Sequence, residues 1–135
     1  MLTRDKRRGL EVIEAAATLP LMLFILTAII NLGWLVYAQQ AVQNAANYGA
    51  RMGSTAQDCR SCAAAGAAYQ QVSATGLPNA DVAVLAPGGV VGSTLRLRVS
   101  AEVPNLLGSL AALLGGDLSR PFQVSAEATF RAEGW

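Results

Sequence analysis

Residues 14–50 read EAAATLPLMLFILTAIINLGWLVYAQQAVQNAANYGA, and no charged residue lies between Glu14 and Arg51. The apolar heart of this stretch, residues 15–38, would be roughly 36 Å long as a helix with a rise of about 1.5 Å per residue. A bilayer core is about 30 Å thick, so the segment is long enough to cross it with some tilt. Thr18, Pro20, Thr27, Asn31 and Gly33 interrupt the hydrophobicity. Membrane helices tolerate such residues where neighbours satisfy the backbone. The competing assignment is a buried helix of a soluble domain, which so long an uncharged run disfavours.

Toward the N-terminus, four basic residues precede the span: Arg4, Lys6, Arg7 and Arg8. The first basic residue after it is Arg51. This asymmetry places the N-terminus in the cytoplasm and the chain beyond about Gln39 outside it. A cleaved secretory signal also starts with basic residues and an apolar core. Here the apolar segment is too long for one, and the small residues Ala45, Ala46 and Gly49 that would mimic its cleavage site lie well past its end.

At the near edge of the span, Arg7-Arg8 is followed by Gly9, Leu10, Glu11, Val12, Ile13 and Glu14. A basic leader, a glycine, and a glutamate five residues later resemble the processing site of type IV prepilins. Cleavage there would leave Leu10 as the new N-terminus. A carboxylate at the mouth of a membrane span is costly unless it meets a cation. The α-amino group of Leu10, on the same chain or a neighbour, would supply one. Glu14 would then also lie in the first helical turn, where the dipole favours negative charge. Without such a partner, Glu14 is simply an interfacial carboxylate.

Pro20 follows Glu14 by six residues. The far end of the helical stretch reads Asn44-Ala45-Ala46-Asn47-Tyr48-Gly49-Ala50-Arg51, and near its end the chain reads Ala128-Thr129-Phe130-Arg131-Ala132-Glu133. This combination resembles the TadE-like family, minor pseudopilin-like proteins of the tight-adherence (Tad, or Flp) pilus system. The family pattern is a glycine, a glutamate, a proline six on, an apolar span and an N-A-A-x-x-G-A-R segment. Three positions depart from it. Ala15 stands where an aromatic often follows the glutamate, Asn31 where many relatives have an acid, and Tyr48 where a glutamate is common.

The resemblance implies a subunit inserted in the bacterial inner membrane and cut after Gly9 by a prepilin peptidase. Its partners would be other pilin-like subunits and the pilus assembly platform, in an apparatus for adhesion or secretion. Glu14, Pro20, Asn31, Asn44, Ala45, Ala46, Gly49 and Arg51 are the candidate helix-packing and assembly residues.

Beyond the span, Ala38, Ala41, Val42, Ala45, Ala46 and Gly49 recur at helical spacing, so the helix should continue to about Gly53. Small residues on that face allow close approach, either by pilin-like partners or by the rest of the same domain. Cys59 and Cys62 are the only cysteines, and the chain has no histidine. A four-ligand zinc site within the chain is therefore disfavoured, and a βαβ redox context is missing. An exterior location favours a short structural disulfide. The alanine-rich residues 63–74 read as a second helix.

The remainder reads as strands. Residues 81–86 form a short candidate, ended by Pro87-Gly88-Gly89. Leu95, Leu97, Val99, Ala101 and Val103 alternate with polar residues, as do Phe122, Val124, Ala126, Ala128 and Phe130. Arg96 and Arg98 share one strand face and read as solvated. Leu106, Leu107, Leu110, Leu113 and Leu114 suit a short helix, either a satellite of the core at the sheet edge or an apolar docking patch. Without flanking lysines or arginines, a partner contact is a better use of such a patch than a membrane surface.

Composition agrees with one small domain plus a membrane helix in 135 residues, alanine being the commonest apolar residue. The expected architecture is α+β and pilin-like: a leader over 1–9, a long helix over 10–53 spanning the membrane at about 15–38, and an extracytoplasmic domain over 54–135. In it a small antiparallel sheet packs on the outer half of the long helix. Removing the +3 leader would take the formal charge from +1 to −2, which gives no support to nucleic-acid binding. No P-loop, His-assisted nucleophile or paired carboxylate is apparent, so neither catalysis, a cofactor, a metal nor a small-molecule substrate is expected. The expected role is structural, by helix packing in a pilus assembly. The alternative is a permanently anchored single-pass envelope protein that binds an exterior partner.

Overall fold

The computed structural model describes residues 3–113, 115–116 and 120–133, the side chains of 3–11, 109, 110 and 113 excepted. Expectations for the side chains of Leu10, Leu110, Leu113 and Leu114 lie outside the described residues. The chain is α+β. Helix α1 (Thr3–Thr55) is followed by α2 (Arg60–Ser73), β1 (Asp81–Pro87), β2 (Thr94–Val103), α3 (Leu106–Leu113) and β3 (Phe122–Arg131). It divides into two compact units, one of residues 1–33 with 105–120 and one of residues 34–104 with 121–135. α1 passes Gly9 without a break and ends two residues beyond the expected Gly53.

In the second unit the three strands form an antiparallel meander in the order β1-β2-β3. β2 is central. Its period of two puts Leu95, Leu97, Val99, Ala101 and Val103 on one buried face. Residues 38–50 of α1 cover that face. Ala38, Val42, Ala45 and Ala46 share one core with Leu97, Val99 and Val103 of β2 and with Val124, Ala126 and Ala128 of β3. The sheet therefore packs on the outer part of α1, as its alternation required.

Phe122 and Phe130 depart from the expected core face, being 38% and 36% exposed. Both sit at the ends of β3, an edge strand with a neighbour on one side alone. The register partner of Phe130, Leu95 on the central strand, is fully buried.

α2 begins three residues earlier than the alanine run suggested. Cys59 is its N-cap, with extended backbone, and the Cys62 N–H donates to Cys59 Sγ at 3.2 Å. A sulfur thus occupies the place that a serine or aspartate oxygen fills at other helix starts. Cys59 and Cys62 are joined by a disulfide across this first turn.

α2 crosses α1 where both are small. A Cβ on Gly49 would stand 2.6 Å from the Ala64 carbonyl oxygen and 2.6 Å from Ala68 Cβ. One on Gly53 would meet Ala64 Cβ at 2.5 Å and Leu95 Cδ2 at 2.7 Å. Arg60, between the two cysteines, fixes the entry to α2. Its guanidinium donates to the carbonyl oxygens of Ala56, Gly89 and Glu133. The Glu133 N–H in turn donates to Ser54 C=O at 3.1 Å, one of the carbonyls left open by the end of α1.

Candidate membrane and assembly helix

The first unit carries the apolar part of α1. Of its most apolar 18-residue window, 6% is buried. A core helix of a soluble domain would be mostly covered; here Leu19, Leu21, Met22, Leu23, Phe24, Ile25, Leu26, Ile29 and Ile30 are all exposed. Covering such a side chain with an apolar medium is worth about 1.5–3 kcal/mol. The length and composition make this helix a candidate membrane span.

The polar side chains within it find partners inside the protein. The Thr18 hydroxyl donates to Ala15 C=O at 3.3 Å, and the Thr27 hydroxyl to Leu23 C=O at 2.8 Å. Pro20 has no N–H to give to the carbonyl of Ala16, four residues before it. Asn31 is the one buried residue among 12–33, at 4% exposure, while Thr27 and Ala28 on the same face are half-buried.

Asn31 is held by the start of α3. Its Nδ2 donates to Asn105 Oδ1 at 3.4 Å, and its Oδ1 accepts the Leu106 N–H at 3.3 Å. Asn105 is the N-cap of α3, accepting the Leu107 N–H on Oδ1 at 3.1 Å. Its own Nδ2 donates to Arg120 C=O at 3.4 Å. α3 therefore belongs to the unit of the apolar helix, not to the unit of the sheet, at whose edge one of its two readings had placed it. Asn105 was missed by sequence reasoning; an asparagine opening an apolar helix after Pro104 was the available signal.

The remaining candidate residues fall into two groups. Glu14, Pro20, Asn44 and Arg51 are exposed. Ala45 and Ala46 are fully buried, and Gly49 is buried against α2 and β2. Tyr48, at 47% exposure, lies with Asn44 and Arg51 on the side of α1 left open to solvent. The motif segment thus packs its own domain with one side and presents a polar surface with the other. In the uncut chain α1 starts at Thr3, so Glu14 stands three turns inside it. A first-turn position would arise only if residues 1–9 were removed.

Arg96 and Arg98 lie on the exposed sheet face, but they are not merely solvated. Both pair with Glu127 of β3, Arg96 Nη2 to Oε2 at 2.9 Å and Arg98 Nε to Oε1 at 2.8 Å. Hydrogen bonding from Arg98 above all, with attraction by both guanidinium groups, holds the Glu127 carboxyl below its usual range. Exposed pairs of this kind add little stability.

The disulfide closes a very small loop, so chain entropy predicts a contribution of about 2 kcal/mol. Replacing Cys59 and Cys62 together by serine should lower the unfolding temperature modestly without changing the fold. Thiol labelling of the native chain, denatured without reductant, should leave both sulfurs unmodified; full labelling would show the bond to be absent.

Residues 9–51 match the model of the TadE-like protein family. The matched segment opens at Gly9 and closes at Arg51, within α1; α2, α3 and the sheet lie outside it. The match points to a membrane protein associated with the Tad pilus. The chain matches no curated protein and no solved structure.

Proposed function

We propose that the chain is a minor pseudopilin-like subunit, without catalytic activity, that supports assembly of a Tad/Flp-type pilus or a related secretion apparatus. The observation that carries this reading is the TadE-like segment. It starts at the candidate cleavage glycine and is folded as a single helix whose apolar surface its own unit leaves open. In this reading the N-terminus is cytoplasmic, the helix crosses the inner membrane, and the sheet unit is outside. A prepilin peptidase cuts between Gly9 and Leu10. The exposed apolar helix then exchanges lipid for neighbouring helices, while Asn44, Tyr48 and Arg51 offer side contacts.

Intact-mass measurement of protein from a host with a working peptidase tests this. The expected chain begins at Leu10. Gly9→Ala should slow cleavage modestly, and Gly9→Phe should block it. Recovering only chains that begin at Met1 would favour a permanently anchored envelope protein instead.

A further inference from the structure

Residues 103–116, between Glu102 and Asp117, contain no charged residue, and α3 occupies most of them. Several backbone groups at each end of α3 are taken up by the protein itself. At the N-terminus, the Leu106 N–H bonds Asn31, the Leu107 N–H bonds the Asn105 side chain, and the Gly108 N–H bonds Asn105 C=O. At the C-terminus, Gly115 takes a left-handed conformation, φ +81°. Its N–H bonds Ala112 C=O, and the Gly116 N–H bonds Ala111 C=O at 2.8 Å. Such caps also occur on helices in water, but in hydrocarbon no water is present to take up the groups they satisfy.

The place where α3 is attached sets its depth. Asn31 lies sixteen residues beyond Ala15, roughly 24 Å along a helix. With the near edge of a core about 30 Å thick at Glu14, Asn31 lies inside the hydrocarbon, a few Å from the far edge. Trp34 and Tyr37 follow in the sequence, residue types that gather at membrane–water boundaries. An unpaired asparagine amide there would be costly. Both polar atoms of its side chain are instead taken up by the start of α3. Leu106 and Ala112 remain exposed on α3.

We propose that α3 is a second membrane-inserted element: docked on the span through Asn31, it lies in the leaflet farther from the N-terminus, with Leu106 facing lipid acyl chains. This rests on reading α1 as a membrane span. It replaces the partner-protein surface that the missing lysines and arginines had favoured. Those residues hold helices at the charged headgroup level, and α3 sits below it.

The test uses the full chain in phosphatidylcholine vesicles, with Trp34→Phe and Trp135→Phe removing the native indoles. One tryptophan is returned at a time, by Leu106→Trp in α3 or by Leu23→Trp in the span. Brominated acyl chains should quench both probes strongly, and aqueous iodide neither. Adding Asn31→Ala should red-shift the Leu106→Trp emission and open it to iodide. Quenching of Leu23→Trp by lipid while Leu106→Trp answers to iodide, or to neither quencher, would overturn the insertion of α3 and leave the span intact. Failure of lipid to quench Leu23→Trp would overturn both. An unchanged Leu106→Trp signal with Asn31→Ala would remove Asn31 from its anchoring role.

Discussion

Substituting Gly49→Ala and Gly53→Ala together should lower the unfolding temperature of the sheet-bearing unit by about 10–20 °C. Alanine is the better helix former by up to about 1 kcal/mol per site, so a free helix would be stabilised. Here each added methyl lands inside the contact distance of fixed atoms. At Gly49 these are the Ala64 carbonyl oxygen and Ala68 Cβ, both at 2.6 Å. At Gly53 they are Ala64 Cβ, and the Arg60 carbonyl oxygen at 2.7 Å. Backbone atoms of α2 cannot swing away as a side chain can, so α2 must lift from α1. Overpacking of this kind typically costs about 1–3 kcal/mol per site. Two adjacent sites that share Ala64 will not add simply. A net loss of about 2–3 kcal/mol gives the stated shift for a unit of this size.

Gly66→Ala is the control. It lies within α2, and a Cβ there meets nothing within 4 Å. It should hold or raise the unfolding temperature. Circular dichroism in detergent, with limited proteolysis between α1 and α2, gives the measurement. Wild-type stability of the double variant would mean that the close crossing of α1 and α2 does not hold this unit together.

Glu14→Gln should reduce recovery of pilin-like partners, and piliation, by tenfold or more while leaving insertion and cleavage normal. A neutral amide enters a bilayer more easily than a carboxylate, so membrane abundance should not fall. On the proposed function, what would be lost is the charge-assisted bond to the amino group that cleavage would expose at Leu10. Truncating one partner of a buried ion pair costs about 3–5 kcal/mol, largely because the other charge is stranded. Glu14 is exposed in the isolated chain and sits near the expected membrane boundary, so a smaller loss applies. Even about 1.4 kcal/mol is tenfold in an association constant. Co-purification and counting of surface pili check the outcome. Wild-type levels of both would reduce Glu14 to an interfacial residue without an assembly role.

Periodicity and the long uncharged run carried most of the architecture. Residues 15–38 announced an apolar helix because no charge interrupts them. Thr94–Val103 and Phe122–Arg131 announced strands because apolar and polar residues alternate strictly. These are local signals, fixed by the geometry of helix and strand. The same alternation misjudged Phe122 and Phe130, since it reports which face is apolar and not how far a cover extends along it.

The tertiary structure decided what each face meets. Ala45, Ala46 and Gly49 suited a neighbouring subunit as well as their own domain, and they turn inward, with Gly49 against α2 and Leu97. Arg96 and Arg98 find Glu127 about thirty residues away, because β2 and β3 lie in antiparallel register. Asn31 stood out in the sequence as a polar interruption, but its partner is separated by 74 residues. Such a bond leaves no periodic trace in the chain. It exists because a buried amide must be satisfied, and the fold brings the asparagine at the head of α3 to satisfy it.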